Sequence, residues 1–190
     1  MSKIAMVTGA GTGVGRRVSE VLSKEGIFVY LIGRRKEKLV ETQKMCSGHT
    51  EILQCDVSDP FAVENAFKIL ETNHGRIDVL FNNAGIGVPP QSIDEMPFEN
   101  WKSVVDINLN GMFLCAKYAF ALMRKQSPQG GRIINNGSVS SVTPRPGSIP
   151  YTATKHAVTG ITKTISLDGR KYDIALSLIH ISEPTRLPGI

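Results

Sequence analysis

The sequence has little cysteine, and none of it shows the paired spacing of a zinc site or a redox motif. Cys46, Cys55 and Cys115 are odd in number and far apart, which indicates reduced thiols rather than a disulfide framework. A reducing compartment, the cytoplasm, is therefore the expected location. The four histidines share no ligand spacing, are expected to be solvated and predict no metal site; they are His49, His74, His156 and His180.

The sequence also lacks a long apolar run. The longest, residues 112–123, is interrupted by Lys117 and is shorter than the roughly 20 apolar residues that a membrane-spanning helix needs. The first residues, MSKIAMVTG, contain no apolar segment of a secretory signal. We therefore expect neither secretion nor a membrane partner.

Concentrated basic charge is absent as well, although the net charge is +5. The basic residues are scattered along the chain, except for the cluster of Arg34, Arg35 and Lys36. A small anionic ligand explains this cluster at least as well as DNA does. No nucleic-acid partner is therefore expected.

What the sequence does have is the composition of a globular protein, 41% hydrophobic and 21% charged over 190 residues, which suits a single domain. Short apolar runs of strand length alternate with segments of helical periodicity, and this predicts a parallel sheet with helices on both faces. The expected fold class is α/β, a doubly wound Rossmann-type sheet. Its six strands are predicted at residues 3–8, 27–32, 51–55, 77–81, 132–136 and from Asp173 onward.

Helices are predicted at residues 13–24 and 36–45, from Asp59-Pro60 onward, and at residues 97–125 and 151–167. Asp59 before Pro60 is a typical helix start, because aspartate caps the first amides and proline suits the first helical position. The middle of the helix at 97–125 is apolar almost all round, so it should face both the sheet and another surface. We expect a partner subunit there, in a homodimer or homotetramer formed through helices 97–125 and 151–167.

A glycine-rich loop, TGAGTGVG at residues 8–15, lies between the first strand and the first helix. It does not have the dinucleotide-binding spacing G-x-G-x-x-G, because position 14 is valine. Gly9, Gly13 and Gly15 could still provide a tight turn, a close backbone approach to a pyrophosphate and close packing of the helix, whose N-terminus attracts anions. Taken alone, the loop fits a merely tight turn equally well.

The spacing T-G-x-x-x-G-x-G resembles that of the short-chain dehydrogenase/reductase family, of the ordinary short type, and four further motifs of that family follow in order. They are Asp56-Val57 after the third strand, Asn82-Asn83-Ala84-Gly85 after the fourth, Asn108, and Ser138 followed by Tyr151-x-x-x-Lys155. The resemblance covers residues 3 to about 175. Each motif alone is weakly specific, but five at consistent spacing on the expected elements are a strong signal.

The resemblance implies four catalytic residues. Tyr151 would be the acid/base and Lys155 its electrostatic tuner, while Ser138 would orient the substrate oxygen and Asn108 would support a water relay to the lysine. A tyrosine needs a nearby cation to work near neutral pH, since its ordinary pKa is about 10, and Lys155 lies one helical turn from Tyr151. The plainer alternatives are a surface tyrosine beside a solvated lysine, and an ordinary helix residue at Asn108.

The resemblance also implies a nicotinamide dinucleotide as cofactor. The residues expected to bind it are Gly9, Thr12, Gly13, Val14, Gly15, Arg34, Asp56, Val57, Asn83, Ala84, Gly85, Tyr151 and Lys155. Two of them have a structural alternative: Asp56 could open the turn before Asp59, and Asn83 could tie the central strands together.

The choice between NADP and NAD depends on the end of the second strand. An NAD site usually has a carboxylate there for the ribose 2′-hydroxyl, but no acidic residue lies between Glu25 and Glu37. Arg34 could instead stack on the adenine and bind a 2′-phosphate. NADP(H) is therefore the expected cofactor, with NAD as the alternative, in which case both arginines would be a solvated helix cap.

The implied function is the interconversion of a ketone or aldehyde and an alcohol by hydride transfer, with 3-oxoacyl thioesters among the candidate substrates. The alternatives are a non-catalytic dinucleotide-binding or scaffold protein, an inactive fragment of the enzyme, and an epimerase or dehydratase of the extended type. A non-catalytic scaffold would not need the catalytic residues of the family, but this chain retains Ser138, Tyr151 and Lys155. The glycine spacing argues against the extended type.

The resemblance ends near the C-terminus, where the family would continue into a substrate loop and a seventh strand. We expect the catalytic domain to span residues 1–176, with the seventh strand missing. The string SLIHISEPTR resembles translated sequencing-adapter tails, so residues 177–190 are predicted to be a non-native tail. The chain as written is accordingly expected to bind dinucleotide weakly and to show no turnover.

Overall fold

The computed structural model describes residues 2–180, which form one six-stranded parallel sheet with helices on both faces. The strand order is β3-β2-β1-β4-β5-β6. The strands are β1 (Ile4–Thr8), β2 (Phe28–Gly33), β3 (Thr50–Gln54), β4 (Val79–Asn82), β5 (Gly131–Asn136) and β6 (Ile174–Ile179). The predicted doubly wound fold is confirmed, and each predicted strand is present within a few residues of its expected bounds.

The helices are α1 (Gly13–Lys24), α2 (Lys36–Met45), α3 (Pro60–His74), α4 (Phe98–Val105), α5 (Met112–Lys125) and α6 (Ile149–Gly169). Asp59 caps α3 as predicted, because its carboxylate accepts hydrogen bonds from the amides of Phe61 and Ala62. Gly75 ends the same helix in the left-handed conformation, at φ 67°.

Alternate residues of the central strands build two separate cores. On β1, Ile4 and Met6 belong to one core, whereas Ala5 and Val7 belong to the other. Residues of α3 and α5 cover the first core, and residues of α1 and α2 cover the second. Since both faces of the sheet are covered, every residue of β1 is buried, which explains why the strand is a continuous apolar run.

The long helix predicted at residues 97–125 is present but is not uniformly α-helical. A π-helical turn, Asp106–Gly111, joins α4 to α5. Such turns are rare and occur frequently at functional sites. Asn108 therefore lies on a locally widened turn and not on the regular helix that the sequence predicts.

The sixth strand extends beyond the domain boundary that the sequence suggests. β6 pairs with β5 from Gly131 opposite Ile174 to Asn136 opposite Ile179, so residues 177–179 belong to the sheet. The rest of the predicted tail, residues 181–190, lies outside the described residues. A non-native origin for this segment stays a prediction.

Candidate active site

The predicted site residues lie at the carboxyl edge of the sheet, where the strand order reverses. β1 pairs with β2 on one side and with β4 on the other, so the segments that follow β1 and β4 diverge and leave a crevice between them. The glycine loop follows β1, and Asn83, Ala84 and Gly85 follow β4. The topology thus brings the first and third sequence motifs to one place.

Each of the three glycines of the loop meets a steric requirement. Gly9 and Gly13 have φ angles of 66° and 54°, in the left-handed region that glycine tolerates best. A Cβ on Gly15 would lie 2.3 Å from the carbonyl oxygen of Gly9, so only glycine lets α1 pack this closely against the turn. The valine at position 14 therefore does not disturb the geometry that the loop needs.

The first turn of α1 presents free amides. Thr12 is the N-cap residue, and its hydroxyl makes no capping hydrogen bond. The first amide to reach the Thr12 carbonyl oxygen is that of Arg16, at 3.2 Å, so the amides of Gly13, Val14 and Gly15 have no acceptor within the helix. These donors lie at the positive end of the helix dipole and fit an anionic pyrophosphate.

A chain of hydrogen bonds ties the ends of β1, β4 and β5 together. The Thr8 hydroxyl accepts from the amides of Asn83 at 2.9 Å and Ala84 at 3.0 Å, and the Asn83 side chain donates to the Thr8 carbonyl oxygen at 3.0 Å. Asn136 in turn donates to the Asn83 side-chain oxygen at 2.9 Å. Asn83 thus makes the contacts that a strand-tying role requires.

A cavity of about 180 Å³ opens beside the glycine loop. Seven of the predicted cofactor residues line it, namely Gly9, Thr12, Arg34, Asp56, Val57, Ala84 and Gly85. Arg35 also lines it and belongs to the basic cluster that the sequence relates to a small anionic ligand. Sequence reasoning missed seven more: Gly11, Gly33, Lys38, Leu39, Cys55, Ile86 and Ile107. The other six predicted cofactor residues do not line this cavity: Gly13, Val14, Gly15, Asn83, Tyr151 and Lys155.

Asp56 has both of the roles that its position allows. One carboxylate oxygen accepts hydrogen bonds from the amide of Ser58 at 3.0 Å and from its hydroxyl at 2.7 Å, which closes the turn before α3. The other oxygen lies 3.9 Å from the Arg34 guanidinium. Both side chains are partly open to solvent, so this long contact contributes little to stability. It does place a negative charge beside the arginine.

Lys155 is buried directly beside Tyr151. The lysine is only 7% exposed, its Nζ donates to the Asn136 carbonyl oxygen at 2.7 Å, and it lies 5.4 Å from the centre of the Tyr151 ring. Burial lowers the pKa of Lys155 to about 8. The alternative of a solvated lysine is therefore wrong, and a positive charge faces the tyrosine at neutral pH.

Ser138 is also buried, and its hydroxyl is oriented by the chain that follows. Its Oγ accepts from the Ser140 amide at 3.1 Å, an arrangement that leaves the hydroxyl proton available to another acceptor. The Ser138 carbonyl oxygen is 3.0 Å from a ring nitrogen of His180. His180 is thus not simply solvated, and it is a neighbour of the site that the sequence did not predict.

Asn108 makes a two-point contact with the segment after β4. Its side-chain oxygen accepts from the Ile86 amide at 2.8 Å, and its side-chain nitrogen donates to the Ile86 carbonyl oxygen at 2.9 Å. Both ends of the amide therefore make one hydrogen bond each. These two contacts fix the orientation of the Asn108 side chain, which retains one N–H donor and one acceptor lone pair for a water.

A second cavity, of about 160 Å³, adjoins Tyr151. It is lined by Gly87, Val88, Arg145, Ser148, Pro150 and Tyr151. The segment at residues 84–88 runs from the first cavity to the second, because Ala84, Gly85 and Ile86 line one and the next two residues line the other. This segment thereby connects the candidate cofactor site with the cavity beside Tyr151.

The remaining sequence features are simpler. All three cysteines are free thiols, and burial raises the pKa of Cys55 to about 11. Nowhere in residues 2–180 do three or more His, Cys, Asp or Glu side chains form a group able to hold a metal ion. None of the helices within that range has the length and apolar character needed to cross a membrane.

Comparison with known proteins gives matches to a family model, to one relative and to two solved structures. A family model described as short chain dehydrogenase matches residues 3–183. The chain is 38% identical over 169 residues to a 3beta-hydroxysteroid dehydrogenase of Mediterraneibacter gnavus, a match that covers 87% of this chain and 60% of that protein. The chain thus spans less than two thirds of that relative's length.

Two solved structures are closely similar. The structure of a metagenomic short-chain oxidoreductase in complex with NADP superposes with a TM-score of 0.89 at 28% identity, covering 95% of this chain and 82% of that one. An NAD⁺-bound xylitol dehydrogenase superposes with a TM-score of 0.87 at 29% identity, covering 92% of this chain and 69% of that one. Proteins similar to this chain thus bind either dinucleotide.

Proposed function

Since the chain belongs to the short-chain dehydrogenase family, we propose that it is an NADP(H)-preferring oxidoreductase that interconverts a ketone or aldehyde and an alcohol. The observation that carries the proposal is the pairing of buried Lys155 with Tyr151. Hydrogen bonds through Asn136 and Asn83 connect this pair to the end of β1, where the glycine loop begins. When bound there, the nicotinamide would supply or accept the hydride.

The chain's own residues would bind the cofactor at three points. The amides of Gly13, Val14 and Gly15 would receive the pyrophosphate, and the 180 Å³ cavity would hold the adenosine. Lys155 would leave the Asn136 carbonyl oxygen, or share its three donors with it, to hold the nicotinamide ribose.

The proton would be handled by Tyr151. Its hydroxyl would donate to the carbonyl oxygen of the substrate, and the ammonium of Lys155 would stabilise the phenolate that results. Ser138, whose hydroxyl proton is free of its neighbours, would donate a second hydrogen bond to the same oxygen and fix its position. Asn108, whose side chain Ile86 holds in one orientation, would support proton return through a water relay.

The preference for NADP(H) rests on the charges of the first cavity. Arg34, Arg35 and Lys38 all line it, and Asp56 is its one acidic residue. Asp56 is already engaged by Ser58 and Arg34, so no free carboxylate awaits a ribose 2′-hydroxyl. A planar guanidinium at Arg34 would bind a 2′-phosphate instead.

The proposal also covers the oligomeric state of the protein and its location in the cell. The helices at 97–125 and 151–167 carry exposed apolar side chains, among them Phe98, Phe113 and Leu167, and we propose that these helices form a homodimer or homotetramer interface. The free thiols are consistent with the proposed cytoplasmic location.

The test is a turnover screen over a panel of carbonyl compounds with NADPH and NADH. It uses a form of the protein with a native C-terminus, since the chain as written is expected to show no turnover, and this form is the wild type in the kinetic experiments below. The panel would contain a simple ketone, a 3-oxoacyl thioester, an oxidised sugar and a steroid ketone. Tyr151→Phe is expected to lower kcat by about 100-fold or more and to leave the Kd for NADPH nearly unchanged, because the phenol acts in the transition state.

Tyr172→Phe is the matched control, since Tyr172 stacks against Arg124 on the 3₁₀ turn after α6. Tyr172→Phe should have the same kcat and the same Kd for NADPH as the wild type. Undiminished turnover by Tyr151→Phe would refute the mechanism. Tight NADPH binding without turnover of any carbonyl would favour the non-catalytic dinucleotide-binding alternative.

A further inference from the structure

The second cavity bears on the substrate, because Tyr151 forms part of its wall. A molecule whose carbonyl oxygen meets the Tyr151 hydroxyl would extend its neighbouring atoms into this space of about 160 Å³. That volume admits a short chain of several heavy atoms. The side chains around it therefore decide which substituents a substrate can carry near its carbonyl group.

Arg145 is the one charged residue that lines this cavity. The other lining residues are small, apolar or uncharged, and the first turn of α6, which forms one wall, contains no acidic residue. None of the ion pairs within residues 2–180 involves Arg145. The cavity thus combines a positive charge with no internal counter-charge.

The loop that carries Arg145 is held in place on both sides. Pro144 and Pro146 flank the residue and restrict its backbone, and its carbonyl oxygen accepts from the Ser148 hydroxyl at 2.6 Å. Gly147, in the left-handed conformation at φ 70°, accepts at its carbonyl oxygen from the Gln91 amide at 3.1 Å. The guanidinium therefore projects from a fixed backbone.

We propose that Arg145 selects substrates that carry a carboxylate a few bonds from the reacting carbonyl group. A guanidinium binds a carboxylate through two parallel hydrogen bonds, and this pairing fixes orientation as well as charge. Held in this way, the carboxylate would direct the carbonyl group towards Tyr151 and Ser138. The inference rests on the proposed carbonyl reduction, and it adds the chemical class of the substrate.

The kinetic test compares 4-oxopentanoate with its methyl ester, a pair that differs in charge but hardly in shape. In the wild type, kcat/KM for the acid should exceed that for the ester by about tenfold, the value of one charge-assisted contact that remains partly solvated. Arg145→Gln should bring this ratio close to one, and added salt should lower it in the wild type.

Arg170→Gln is the control for loss of one positive charge. Arg170 is exposed and follows the C-terminal end of α6, one helix length of about 30 Å from the cavity. Its acid-to-ester ratio should equal that of the wild type. A ratio near one in the wild type, or an unchanged ratio in Arg145→Gln, would overturn the inference while leaving carbonyl reduction intact.

A binding measurement separates the inference from the proposed reaction. Pentanoate, which has no carbonyl group to reduce, should raise the unfolding temperature of the wild type more than pentanamide does, and this difference should vanish in Arg145→Gln. If the protein reduces no ketone yet shows this difference, the reaction is wrong and the anion site stands. Equal effects of pentanoate and pentanamide on the wild type would overturn the anion site.

Discussion

Lys155→Met should change how the free energy of unfolding depends on pH. The folded protein lowers the pKa of Lys155 from 10.5 to about 8, because the side chain is buried, whereas the unfolded chain retains the ordinary value. Below pH 8 both states are protonated, and burial of the ammonium costs about 3 kcal/mol relative to a lysine with an ordinary pKa. Between pH 8 and 10.5 only the unfolded state holds the proton, so stability rises with pH.

The size of the expected change in the free energy of unfolding follows from this pH range. From pH 7 to pH 9.5 the wild type should gain about 2 kcal/mol relative to Lys155→Met, because methionine has no proton to lose. Comparing the two proteins cancels the titration of all other groups and also the constant loss of the hydrogen bond to Asn136. The assay is urea unfolding without cofactor, followed by the fluorescence of the single tryptophan, Trp101.

Lys163→Met is the matched control, because Lys163 lies exposed on the same helix. Its stability should follow that of the wild type across the whole pH range. If the curves of Lys155→Met and the wild type also run parallel, Lys155 titrates as a solvated lysine and the electrostatic argument for Tyr151 is wrong.

Three further predictions concern the cofactor loop and the assembly. Arg34→Ala should raise the Kd for NADPH at least tenfold more than the Kd for NADH, since only NADPH carries the 2′-phosphate; equal losses would contradict this role. Gly15→Ala should destabilise the fold by about 1–3 kcal/mol and weaken NADPH binding, because its Cβ would meet the Gly9 carbonyl oxygen. Gly160→Ala is the control and should do neither, since the space around its Cβ is open. Equal unfolding midpoints for the two variants would refute the packing argument. Light scattering at micromolar concentration should find a dimer or tetramer that Phe113→Glu dissociates, and a monomeric wild type would exclude the proposed interface.

Sequence reasoning predicts the fold well because the signals are local. The apolar runs of β1 and β2, and the Asp59-Pro60 start of α3, depend on burial and capping within a few residues. The glycine loop could likewise be interpreted from its position between a strand and a helix. Valine at position 14 breaks the spacing G-x-G-x-x-G, but the conformation of the loop depends on the steric requirements at Gly9, Gly13 and Gly15.

The features that sequence reasoning missed depend on contacts between distant segments. The π-helical turn coincides with the contact between Asn108 and Ile86, 22 residues apart, and no local periodicity predicts it. Asn136 looked like the end of a strand, yet its carbonyl oxygen holds Lys155 and its side chain holds Asn83. No signal in the sequence marks Arg145, because the cavity that it lines forms only where its loop meets Gly87 and Val88 after β4.

The most direct test of the central claim is to follow the hydride itself. The protein would be given a ketone that it reduces and NADPH deuterated at the reactive carbon of the nicotinamide, and the alcohol would be analysed by mass spectrometry. The account predicts deuterium on the carbinol carbon for the wild type, and no labelled alcohol above background for Tyr151→Phe despite normal NADPH binding. An unlabelled alcohol from the wild type, or equal labelled product from Tyr151→Phe, would contradict it.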